Sequence, residues 1–175
     1  MPDTPPALDR VQLDAYFALI EVSSLLRHAV EQQLREAGDL SYVQFQLLAR
    51  LGDTPAGSQR MTGLADGVVY SRSGLTYQVS LLEKAGLVTR STATDDERGI
   101  TVSITDAGRA RLAQVFPGHI EVVRSLFLEP LSHRGAETLA ALLEPVREHM
   151  RSAPPRSASP RRRKGTWPSR GGPIG

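Results

Sequence analysis

The chain has 175 residues, of which 40% are hydrophobic and 23% charged, enough for one packed domain with a tail and too apolar for a wholly disordered chain. It contains no cysteine, which excludes disulfides, thiolate metal sites and thiol switching. The net charge of +2 is unevenly spread: residues 151–175 hold seven cations and no acid, leaving residues 1–150 with 14 cations against 19 acids, a net −5. The high isoelectric point therefore describes a tail and not a basic body.

No apolar run approaches membrane-spanning length, and the start (MPDTPPALDR) lacks the basic-then-apolar order of a secretion signal, so a cytoplasmic protein without membrane contact is expected. Residues 1–7 hold three prolines and read as a disordered arm. From Leu8 to about Glu36 neither Gly nor Pro occurs. Apolar residues recur there at helical spacing, Leu13, Phe17 and Ile20 on one side and Leu19, Val22, Leu26 and Val30 on another. A helix of 29 residues spans roughly 43 Å. A single core-facing helix is one reading of it; the breadth of the stripe favours packing of part of it against a second subunit.

Gly38 punctuates its end. Ser41 and Gln44 then form the sequence signature of a capping box opening a helix with Val43, Leu47, Leu48 and Leu51, which stops at Gly52. The stretch DTPAGSQ reads as a loop. A short amphipathic helix follows (Met61, Leu64, Ala65, Val68), and after it Ser71 caps a helix ending with Gly86 in the C′ position and Leu87 beyond. Leu75, Val79 and Leu82 face the core. Two short helices around a tight turn form a helix-turn-helix pattern. The period then changes: Val88 to Ser91 and Ile100 to Ile104 alternate as half-buried strands around the polar stretch TATDDERG, which makes a wing. Thr105 caps a further helix that Pro117 should kink near Phe116. Ser132 caps the last, striped by Leu139, Leu142, Leu143 and Val146, with Pro145 expected to kink or shorten it. From Arg151 onward Pro, Ser, Gly and Arg dominate, and disorder is expected. The fold class is thus mainly α with a small β wing: a winged helix-turn-helix over about residues 41–105, with helical dimerisation segments at 8–37 and 106–150.

The second helix of such a unit fits the DNA major groove, with outward side chains reaching base edges. Removing the core positions leaves Arg72, Ser73, Thr76, Tyr77 and Ser80, while Ser71 and nearby amides suit a phosphate at the positive helix end. In the wing, Asp96 and Arg98 stand two apart. An arginine on a thin loop can enter the minor groove, and a neighbouring carboxylate can orient it. Each feature alone reads more readily as a solvated helix face or a surface ion pair. Their combination in one winged unit favours DNA.

The run MTGLADGVVYSRSGLTYQVSLLEKAGLVTRSTATDDERGITVSITDAGRA resembles the winged-helix core of the MarR (multiple antibiotic resistance regulator) family. The spacing of Asp96, Arg98, Val102, Ile104 and Thr105, followed by Asp106-Ala107-Gly108, is similar to that family's wing signature. The likeness covers roughly residues 8–150. It implies a homodimer with interlocked first, fifth and sixth helices, and two winged lobes reading double-stranded DNA at a pseudo-palindrome. It also implies regulation, commonly by a small, often anionic aromatic effector bound between the dimerisation and DNA-binding parts, and a ligand-responsive repressor is expected. Candidate pocket residues are Tyr16, His28, Tyr42, Phe45 and Arg50, each equally explained by packing or helix surface. The family often places a basic residue where this chain has Tyr77.

An enzyme has little support: His28, His119, His133 and His149 show no metal-ligand spacing, and no phosphate loop or nucleophile elbow occurs, so no catalytic residue, metal or cofactor is expected. A winged helix used for protein contacts, with DNA reading lost, is the remaining alternative. Its basis is charge: residues 41–105 hold six cations and six acids, net zero, where attraction to phosphates usually supplies much of the affinity.

Overall fold

The computed structural model describes residues 7–68, 72–93 and 96–152, without the side chains of 68, 72, 93 and 96–98. Helix α1 spans Arg10–Gly38. It opens two residues later than the apolar pattern suggests because Asp9 caps it: the Asp9 carboxylate accepts from the Gln12 amide at 2.9 Å, and the Gln12 side chain accepts from the Asp9 amide at 3.0 Å. Gly38 is the last residue of the helix, as expected, but it does not supply the left-handed turn. The left-handed residue is Asp39 (φ 50°), after which the Leu40 amide returns to the Leu34 carbonyl at 3.2 Å. Gly38 serves another purpose: a Cβ there would lie 2.3 Å from Val115 Cγ1, so its bareness lets α1 approach the helix that carries Val115.

Helix α2 (Tyr42–Asp53) has the expected Ser41–Gln44 capping box and buries Phe45, Leu47, Leu48 and Leu51. The loop expected at 53–59 is shorter than that, because Ser58–Arg60 form strand β1. Helix α3 covers Met61–Val68 and α4 covers Arg72–Lys84. Strands β2 (Val88–Ala93) and β3 (Asp96–Ile104) extend further into TATDDERG than alternation suggested, since the ladder is made by backbone groups and needs no apolar period. The sheet is antiparallel in the order β1-β3-β2, with Ser58 opposite Ser103 and Val88 opposite Ile104. Register breaks after Thr92–Ile100, and Ala93 next faces Asp96.

Helix α5 (Asp106–Val123), capped by Thr105, runs through Pro117 and continues as a π-helical turn, Arg124–Leu128, closed by a Glu129-to-Arg124 bond of 2.8 Å. Helix α6 (His133–Arg151) begins at the Ser132 cap. Pro145 does not shorten it.

The core lies where α1's second half, α2, α3, α4, the sheet and the start of α5 converge. Leu34, Leu47, Leu48, Leu51, Leu64, Leu75 and Val115 are sealed there. Each sealed aliphatic side chain contributes about 1.5–3 kcal/mol. The first half of α1 and all of α6 behave differently. Tyr16, Phe17, Leu19, Ile20, Val22 and Leu25 stand exposed around α1, and α6 buries no residue at all, its stripe lying bare with Leu142 65% exposed. No helix among the described residues is long and apolar enough to cross a membrane.

Candidate nucleic-acid interface

Helix α4 is fixed from behind. Leu75, Val79 and Leu82 are buried, and its C-terminus closes in a Schellman turn: Leu87 donates to Leu82 O, Gly86 to Glu83 O, both at 2.9 Å, with Gly86 at φ 72°. That anchoring turns Ser73, Thr76 and Tyr77 outward, the tyrosine 61% exposed. Ser80 is half-buried, and its hydroxyl donates to the Thr76 carbonyl at 2.9 Å, leaving only acceptor capacity for a ligand. Ser71 lies outside the described residues, as do the side chains of Arg72, Asp96 and Arg98. The backbone puts Asp96 at the start of β3, opposite Ala93 near the hairpin end, with Arg98 two residues along the strand.

Two connections were not evident from the sequence. Glu83, in the last turn of α4, pairs with Arg90 of β2: Arg90 Nε donates to Glu83 Oε2 at 2.8 Å, and a second guanidinium nitrogen donates to the same oxygen. The hydrogen-bonded guanidinium holds the Glu83 carboxyl below its ordinary range and raises Arg90 further. The second connection joins α4 to α5. Thr105 Oγ1 donates to the Gly86 carbonyl at 2.7 Å and accepts from the Gly108 amide at 3.1 Å, so one hydroxyl caps both helix ends.

Away from this face, a cavity of about 500 Å³ lies between α1, α2 and α5, lined in part by Ser23, Arg27, Tyr42, His119 and Val123. The His119 ring lies 4.5 Å from the Phe45 ring, centre to centre; its Nδ1 is buried without a hydrogen-bond partner, and burial lowers its pKa. No cluster of three or more potential metal ligands occurs among the described residues.

A model of the MarR family matches residues 40–100. The MarR family transcriptional regulator Sco3205 of Streptomyces coelicolor, solved in complex with DNA, is 30% identical with a TM-score of 0.81, over 86% of this chain and 94% of that one. The chain belongs to the MarR family. AbsC, a MarR family regulator also from Streptomyces coelicolor, is 29% identical with a TM-score of 0.78, covering 83% of this chain and 98% of that one. The transcriptional repressor YetL of Bacillus subtilis is 28% identical over 71% of this chain and 74% of its own.

In this MarR-family chain the five residues proposed for an effector pocket do not gather at one place. Tyr42 lines the cavity, and Phe45 is buried behind it against the ring of His119, which lines it. Tyr16 packs on Phe17 near the exposed start of α1, and His28 faces a separate groove along α1 with Glu31 and Arg35. Arg50 serves α2 and β1: it donates to the Gln59 side chain at 3.3 Å, and its guanidinium lies where a Gly67 Cβ would stand. His119, not among those five, lines the cavity, and no spacing rule in the sequence marks it.

Proposed function

We propose that the protein is a sequence-specific DNA-binding transcription regulator, acting as a homodimer on a pseudo-palindromic operator and relieved by a small effector. The observation that carries this reading is the pairing of an anchored α4, outward Ser73, Thr76 and Tyr77, and an adjacent wing bearing Arg98, in a chain whose α1 and α6 leave large apolar faces bare. Arg72, Ser73, Thr76, Tyr77 and Ser80 read or approach bases in the major groove. Ser71 holds a phosphate at the start of α4, and Arg98, oriented by Asp96, enters the minor groove. The bare faces of α1 and α6 join two chains. The cavity beside Tyr42 and His119, with Arg27 at its wall, holds an anionic aromatic effector. Repression is the reading in line with YetL's name.

Selection from a random DNA pool tests this directly. The recovered site should contain two half-sites about one helical turn, roughly 10 base pairs, apart. Arg98→Ala should weaken binding to it by about 1–3 kcal/mol, the loss typical of a well-placed base contact. Equal binding by the variant removes the wing from the interface. A pool that yields no preferred DNA favours the protein-contact alternative, which the zero net charge of residues 41–105 supports.

The tail compensates for that neutrality. Residues 151–175 hold seven cations on a body of net −5, and they lie along DNA phosphates without reading bases. Deleting them should lower affinity for all sequences alike. The slope of log K against log salt should flatten by roughly 0.9 for each phosphate that the tail neutralises in the parent. An unchanged slope takes the tail off the DNA.

A further inference from the structure

Glu83 and Arg90 each occupy a place where local rules argue against them. A carboxylate in the last turn of a helix opposes the macrodipole, whose negative end lies there. Arg90 stands on β2 two residues after buried Val88 and directly opposite buried Val102, so strand alternation puts it on the core-facing side of the wing. Neither residue improves its own element. Together they form a two-contact bridge from the end of α4 to the second core-side position of the wing, with only 31% and 34% of the paired side chains exposed. Partial shielding keeps salt from screening such a pair as fully as an open surface pair.

The bridge sits at a mechanical junction. The outward residues of α4 lie in its N-terminal half, while the wing projects from its C-terminal end through Gly86 and Leu87. Val88 and Ile104 pair at the base of the wing, and Arg90 stands in the next core-side rank, across from buried Val102. A planar guanidinium that gives two hydrogen bonds to one carboxylate oxygen fixes direction as well as distance, which an aliphatic residue at position 90 would not.

We propose that Glu83 and Arg90 are a positioning pair that sets the angle between α4 and the wing, and through it the base preference in the groove flanking each half-site. This rests on DNA reading by α4 and the wing. The angle itself is a property of the free protein, so the two ideas fail separately.

The full chain has no cysteine, so spin labels can be placed at introduced cysteines in exposed Ser73 and Thr92, diluted with unlabelled chain to isolate intrachain distances. Without DNA, the distance distribution should be narrow in the parent, broader in Glu83→Ala and Arg90→Ala, and narrow again in the swap Glu83→Arg/Arg90→Glu. Equal widths throughout overturn the proposal. On the selected operator, each single variant should bind about tenfold more weakly, the double alanine variant no worse than either single, as expected of coupled partners. The swap should regain most of the loss, together with the flanking-base preference that the singles relax. A loss confined to Arg90→Ala, with Glu83→Ala neutral or tighter, makes Arg90 a phosphate contact and overturns the pair. Thermal midpoints of all variants serve as the control for folding.

Discussion

Glutamate at Leu142 and Val146 should leave the chain folded and make it a monomer with almost no operator affinity. These two residues stand four apart on α6, with Leu143 and Met150 beside them on the same stripe, and all are exposed within a single chain. Because α6 contributes no buried residue to its own chain's core, the helical signal should survive. Burying such aliphatic side chains between two chains contributes about 1.5–3 kcal/mol each, and charged replacements reverse the sign. A monomer holds one half-site at a time. It loses the effective concentration that links the second half-site to the first, a factor of about 10²–10⁴ in affinity. Sedimentation velocity, with and without operator DNA, reads both effects. A folded variant that still sediments as a dimer at micromolar concentration would move the subunit contact elsewhere.

Two glycines should respond to alanine in opposite directions. At Gly108, in the first turn of α5, a Cβ would fall 2.2 Å from the Leu87 carbonyl oxygen and 2.8 Å from Ile104 Cγ1. The first of these is backbone, held in place because Leu87 O accepts from Thr105 N at 3.1 Å. Something must therefore shift, and the overpacking should cost about 1–3 kcal/mol. The shift falls on the chain leaving α4, so DNA affinity should drop along with stability. At Gly63, within α3, nothing lies within 4 Å of the added carbon. Alanine there should stabilise by about 0.5–1 kcal/mol through helix propensity alone. Thermal unfolding of the two variants separates the signs, and a neutral Gly108→Ala would mean that the α4–α5 junction is looser than its contacts indicate.

Elements with long periods or explicit caps were legible before any coordinates. The Ser41–Gln44 box, the Gly86 turn and the buried file of Leu75, Val79 and Leu82 stand as the pattern placed them. What escaped notice depends on partners distant in the chain. Strand β1 is three polar residues, Ser58–Arg60, too short to show a period; it exists because β3 offers a ladder. Gly38 ends α1 as the sequence suggested and is also a point of close approach to Val115, which one dimension does not show. The candidate interface divided the same way. Outward positions on α4 followed from subtracting its core face, whereas the Glu83–Arg90 pair joins residues seven apart on different elements. His119, among four scattered histidines, gained its place only when α5 folded against Phe45 and Tyr42.

The Thr105 hydroxyl, shared between the Gly86 carbonyl and the Gly108 amide, gives α5 the geometry of a lever with its fulcrum beside α4. Over its 18 residues α5 is about 27 Å long, so tilting it by about 5° about that end carries its far end roughly 2 Å. Conversely, a displacement of that size at the far end, or at His119 about three quarters of the way along, corresponds to a tilt of α5 by only a few degrees about the Thr105 junction. In a dimer of the kind proposed, whose two lobes would meet one duplex about a turn apart, a few degrees at each junction would move both reading helices relative to the groove together.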